Sequence, residues 1–318
     1  MDVDQPAGIR TEAPPSPLGL EPGRAPNALY RTLREDFPLA YDESLGAWLL
    51  SRYEDVAPAL VDPRFTHGHR PGDAPCAATH QEVRGAGLRA AVERTAHVLA
   101  QRIAGREQVD LVEEFCHWLP VGSVAAAVGV PYRDMMRLVR GRAASALAGT
   151  CGGQTAVREK ALASFLANVL DDPDQLAALR DGPSALVARA WTESLRRDPP
   201  VPVVLRRTAA AVRTSGGTVP AGASVALLIG AAGRDPVRFA DPDRFDVLRE
   251  DPGQLTFGPG FCPAVVLAGL EAECGLRALL DAMPALCWAD GFRPVHTGVL
   301  TRAPRSLLVR PQGPAGPR

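Results

Sequence analysis

Cys262 is the residue whose setting could do chemistry. It lies in Phe257-Gly258-Pro259-Gly260-Phe261-Cys262-Pro263-Ala264, directly ahead of an apolar run that opens Val265-Val266-Leu267-Ala268 and carries Glu271. Glycines admit a close approach of backbone to a flat ligand and tolerate positive φ. A cysteine just before a helix has its thiolate favoured by the helix dipole, the condition under which a thiol becomes a metal ligand. The same stretch also reads as a glycine turn with a buried cysteine before a core helix. The other five cysteines (Cys76, Cys116, Cys151, Cys274, Cys287) form no CxxC pair, so neither a zinc site nor a disulfide framework is predicted. Cys274 and Cys287 read as packing residues, and His117, beside Cys116, as core or helix edge.

Three further sets of charged residues stand out. Glu193 and Arg196 are three apart on one predicted helix, the spacing of an ion pair. Arg244 lies in the turn-rich Phe239-Ala240-Asp241-Pro242-Asp243-Arg244-Phe245. His80 and Arg84, four apart, share a helical face and could hold a carboxylate between them; a solvated face is the alternative.

The elements that must position these residues are mostly helical. Apolar spacing predicts helices over Ala28–Glu35, Tyr53–Val61, His80–Ile103, Leu111–Val128, Arg133–Leu147, Ala156–Leu170, Gln175–Leu179, Ser184–Arg197 and Val265–Met283. Three glycines around Cys151 predict a break over Gly149–Gln154, and Asp198-Pro199-Pro200 ends the helix before it. Strands are predicted at Leu39–Tyr41, Ala47–Leu50, Val203–Leu205, Ala209–Arg213, Ser224–Leu228, Ala285–Trp288 and Ser306–Val309. The class is mostly α with a small β region (α+β). Residues 1–26 read as a disordered lead-in, 27–310 as a single domain and 311–318 as a disordered tail. A formal charge of −1 gives no electrostatic case for nucleic acid, and no apolar run reaches the ~20 residues of a membrane span. Arginine supplies the positive charge apart from Lys160. Cytoplasmic location is expected.

Taken in order, these pieces resemble the cytochrome P-450 superfamily of heme-thiolate proteins in its bacterial soluble form. Glu193-x-x-Arg196 matches the family's ExxR helix, and Arg244 the arginine that locks onto it; the resemblance makes these three a structural brace. His80-x-x-x-Arg84 matches the pair that holds a heme propionate, Arg207 a second propionate ligand, and Cys262 the axial thiolate to heme iron.

The sequence departs from that family at three places. Only Phe261 separates Gly260 from Cys262, where the family has three residues, and a two-residue loss moves a sulfur by several ångströms. The acid–alcohol pair of the central I helix, which manages protons for oxygen activation, has its nearest trace in Gly152-Gly153-Gln154-Thr155, which contains no carboxylate. The F and G helices that roof the pocket are expected to be absent, with part of the I helix. These losses resemble the heme-free P-450 homologues that bind and stabilise glycosyltransferases attaching deoxysugars to macrolides and anthracyclines; retention of Cys262 departs from that class. The resemblance therefore implies an auxiliary protein of antibiotic biosynthesis without cofactor, its partner a glycosyltransferase. The alternative is a heme b enzyme, a monooxygenase or peroxygenase-like catalyst, with Cys262 as axial ligand and ferredoxin or peroxide as co-reactant.

Overall fold

The computed structural model describes residues 13–21, 23–66, 87–127, 144–256 and 263–313, with the side chains of 126–127, 144–154 and 263–264 left aside. His80, Arg84 and Cys262 lie outside the described residues, as do Cys76 and most of the Arg133–Leu147 segment.

The larger layer is helical. Helices α1 (Asn27–Glu35), α2 (Tyr53–Ala59), α3 (Leu88–Ala104), α4 (Trp118–Ala127), α5 (Ala144–Leu170), α6 (Pro173–Asp181), α7 (Ser184–Arg197), α8 (Ile229–Ala232) and α9 (Pro263–Ala282) account for it. Four of them, α3, α4, α5 and α9, pack against one another. They bury Leu99, Ile103, Phe115, Leu119, Leu162 and Leu279 in one core. Trp191 of α7 meets Phe165 of α5 edge to face, the arrangement ring quadrupoles favour, with centroids 5.6 Å apart. Gly275 lets α9 close on this core, because a Cβ there would stand 3.0 Å from Leu119 Cδ2.

The smaller layer is β. Strands β1 (Leu39–Asp42), β2 (Ala47–Leu50), β3 (Phe65–Thr66), β5 (Val204–Thr208) and β8 (Ser224–Leu227) form a sheet of order β1-β2-β8-β5-β3, with β2 and β8 parallel. A three-stranded sheet joins β4 (Val109–Asp110), β12 (Leu308–Arg310) and β9 (Cys287–Trp288). Two hairpins, β6 (Val212–Thr214) with β7 (Gly217–Val219) and β10 (His296–Thr297) with β11 (Ala303–Pro304), complete it.

Some expectations need correction. The glycines at 149, 152 and 153 do not break the chain, and α5 runs unbroken through them for 27 residues. Glycine costs a helix only about 1 kcal/mol each, and the second half of α5 is buried from Ala161 to Leu170. The helix expected over Leu111–Val128 opens with a π turn at Val112–Cys116, where His117 N–H bonds to Val112 O. The lead-in is ordered in part: Ser16 caps a 3-10 turn at Pro17–Gly19, and Pro17 is buried. Of the tail, Gln312 donates to Ala104 O at 2.7 Å.

Candidate functional site

The brace forms at the C-terminal end of α7. Glu193 and Arg196 lie on the inward face of this amphipathic helix, each 1% exposed. Arg196 donates Nε and one NH2 proton to the two carboxylate oxygens of Glu193, at 2.7 and 2.8 Å. Its remaining donors reach the carbonyls of Gly233 (2.6 Å), Pro242 (2.8 Å) and Arg244 (3.2 Å). All five guanidinium donors are used, the condition under which a buried arginine is tolerated. Gly233 permits the approach, since a Cβ there would fall 2.2 Å from Arg196 O.

The second arginine at Glu193 is Arg249, not Arg244. Arg249 Nε stands 3.1 Å from both carboxylate oxygens, and Asp246 N–H adds a bond to the same group at 3.2 Å. Arg244 contributes only its carbonyl. It closes a turn onto Asp241, whose φ is +44°, so its side chain faces solvent while Phe245 and Val247 enter the core. The chain then returns, and Arg249 lies over the carbonyls of Ala240 and Asp241.

Asp198, the residue that ends α7, belongs to a second network. Arg234 donates to Asp198 at 2.8 Å and to Asp243 at 2.5 Å. Burial alone would raise the Asp198 carboxyl, but Arg234 and Arg197 hold it well below the usual carboxylate range. Beside it, burial pushes the Tyr30 hydroxyl up to about 12 and lowers the His296 pKa.

A third feature, unmarked in the sequence reading, links α5 to α9. Arg158 and Glu271 form an ion pair at 2.5 Å with side chains 3% and 2% exposed. Burial raises the Glu271 pKa, while Arg158 and Ser123 draw it the other way. On the next residue of the helix, Glu159 is bonded to half-exposed His117 at 2.9 Å and lifts the His117 pKa. Cys116 and Cys274 are buried thiols with raised pKa values, and Cys287 is half-buried. Among the described residues no three His, Cys, Asp or Glu side chains converge on a metal site. No helix there is long and apolar enough to cross a membrane.

A mostly helical domain with a buried Glu-x-x-Arg brace, leading to a glycine-rich cysteine segment before a long helix, is the scaffold of heme-thiolate proteins. The comparisons agree. Residues 185–260 match the family model Cytochrome P450. Cytochrome P450 107B1 of Saccharopolyspora erythraea is 32% identical over 367 aligned positions, covering 84% of this chain and 90% of that protein. Protein DesVIII of Streptomyces venezuelae is 40% identical over 145 residues, 44% of this chain and 36% of its own. The fold superposes on CYP109E1 of Bacillus megaterium in complex with corticosterone with a TM-score of 0.77 at 20% identity, covering 90% of this chain and 98% of that one. The chain belongs to the cytochrome P450 family.

Whether its residues fit that family's heme can be asked at two points. Arg207, on β5 opposite Thr66 of β3, is exposed, and its guanidinium has no partner among the described residues. That fits a propionate. The central helix does not fit oxygen activation: between Ala144 and Arg158 it contains no Asp or Glu. Its first carboxylate, Glu159, is engaged by His117.

Proposed function

We propose that this chain keeps the P450 scaffold without its oxygen chemistry and works in the cytoplasm as an auxiliary protein that binds and stabilises a glycosyltransferase of natural-product biosynthesis. The observation that carries this reading is the central helix. Proton delivery to bound oxygen needs a placed acid and alcohol, and α5 offers instead an arginine consumed in an ion pair and a glutamate bonded to histidine. The structural brace, by contrast, is fully satisfied. The kind of partner rests on the resemblance to heme-free activator homologues. The reading predicts that the purified chain raises the activity of the glycosyltransferase it serves, and that Cys262→Ser leaves this effect intact.

A second reading has its own support in Arg207, exposed and without a partner among the described residues, and in the presence of Cys262. Heme held there, with His80 and Arg84 at a propionate, would supply a redox-active iron. The chain is produced with added heme precursor, reduced and exposed to carbon monoxide. A Soret band at the thiolate-ligated position, lost in Cys262→Ser, selects the enzyme reading. Folded protein without a Soret band removes it.

A further inference from the structure

Away from the brace, a cleft of about 560 Å³ opens between α5 and the β10–β11 hairpin, within the size range of small-molecule sites. Its apolar wall includes Leu20, Val112, Ala163 and Val299. Four charged side chains besides Arg302 also line it, and they are not evenly matched. Glu159 is bonded to His117, and Glu21 stands 3.9 Å from Arg24. Lys160 and Arg305 have no hydrogen-bond or ion-pair partner among the described residues. Glu159 is engaged and Glu21 is exposed to solvent, while neither cation has a partner among the described residues. Lys160 is half-buried and is the only lysine in the chain.

The hairpin wall is pre-set. Gly298 turns at φ +100°, and a Cβ there would fall 1.9 Å from Thr301 O, so no other residue fits. Arg302 ties the turn down, donating to Gly298 O at 3.3 Å and across to Arg24 O at 3.0 Å. An apolar wall beside a half-buried ammonium that has no partner among the described residues suits a ligand with an aliphatic chain and an anionic head. We propose that this cleft binds an aliphatic carboxylate, its head group taken by Lys160 within the positive field of Arg305 and its chain lying along Leu20, Val112 and Ala163. The proposal needs neither heme nor a glycosyltransferase, so it stands or falls separately from the function above.

The single lysine makes the test direct. Reductive ¹³C-methylation, which keeps the charge, tags only Lys160 and the N-terminal amine. On titration with decanoate, the dimethyl-lysine resonance is expected to move saturably. Decanol and decyltrimethylammonium, which share the chain but not the head group, leave it unmoved. By calorimetry on unmethylated protein, Lys160→Gln weakens decanoate binding about tenfold or more, the loss of a charge-assisted contact. Arg305→Gln, an exposed change that cannot upset the core, weakens it less. An unmoved resonance, an equal response to decanol, or unchanged affinity in a folded Lys160→Gln protein would overturn the proposal.

Discussion

Arg249 and Arg244 stand five residues apart on the same loop, and replacing each by methionine separates the brace seen in the structure from the one read in the sequence. Arg249 Nε is shared between both oxygens of a carboxylate that is 1% exposed, and its NH1 reaches Ala240 O at 2.9 Å. A hydrogen bond to a charged group contributes about 1.5–3 kcal/mol. Arg249→Met leaves Glu193 paired with Arg196 and with Asp246 N–H, so the buried charge is not stranded, and the expected loss is about 2–3 kcal/mol. Arg196→Met leaves Glu193 with Arg249 and Asp246 N–H, but it removes two bonds to that buried carboxylate and the donors of three carbonyls, and is expected to cost more, about 3–5 kcal/mol. The Arg244 side chain is exposed and gives only its carbonyl, which methionine keeps, so Arg244→Met falls within about 0.5 kcal/mol of the parent. Urea unfolding at constant pH ranks the three. A loss in Arg244→Met as large as that in Arg249→Met would refute this account of the brace.

Glu271→Gln is expected to destabilise by about 3–5 kcal/mol, because it leaves Arg158 buried without its counter-charge, whereas the paired Arg158→Met, Glu271→Leu protein is expected to recover most of that loss; denaturant midpoints decide. The His296 pKa is lowered mainly by burial, so the unfolded chain binds a proton first as pH falls. Stability is then expected to decline below the ordinary histidine value and on through the folded one, and His296→Gln flattens that part of the profile. Asp198, with its carboxyl depressed by Arg234 and Arg197, adds a further loss below the usual carboxylate range; in Asp198→Asn that acid limb shrinks. His117 runs the other way: its pKa is raised by Glu159, so its contribution is present in acid and fades as pH rises past the ordinary histidine value. His117→Gln removes that dependence in a pH series of midpoints.

Ser184–Arg197 was legible to the residue because a regular apolar stripe and the Asp198-Pro199-Pro200 stop are local signals. The first β-hairpin was legible for the same reason, through alternation on either side of a turn. The unbroken α5 was not, since whether three glycines end a helix depends on what the following turns bury, a tertiary matter. The choice between Arg244 and Arg249 depends on a left-handed residue at Asp241, and nothing in the spacing reports it. The Arg158–Glu271 pair was not legible either: Arg158 opens the run Arg158-Glu159-Lys160, and which of three adjacent charges turns inward is decided by packing. Two-residue strands such as β10 and β11 exist only through their pairing, so no periodicity could announce them.

The two kinds of polar network in this chain argue for what was kept and what was let go. A buried ion pair is expensive, and removing one partner costs several kcal/mol, so a half-decayed network is worse than none. The brace is complete down to the fifth donor of Arg196. The α5–α9 junction holds a charge pair at 2.5 Å inside the bundle. Each requires matched residues on separate elements. Between Ala144 and Arg158 α5 carries no Asp or Glu, and the same helix lines the β10–β11 cleft with Lys160. Lys160, half-buried in that cleft and the only lysine in the chain, is the point at which a role for the cleft is tested first.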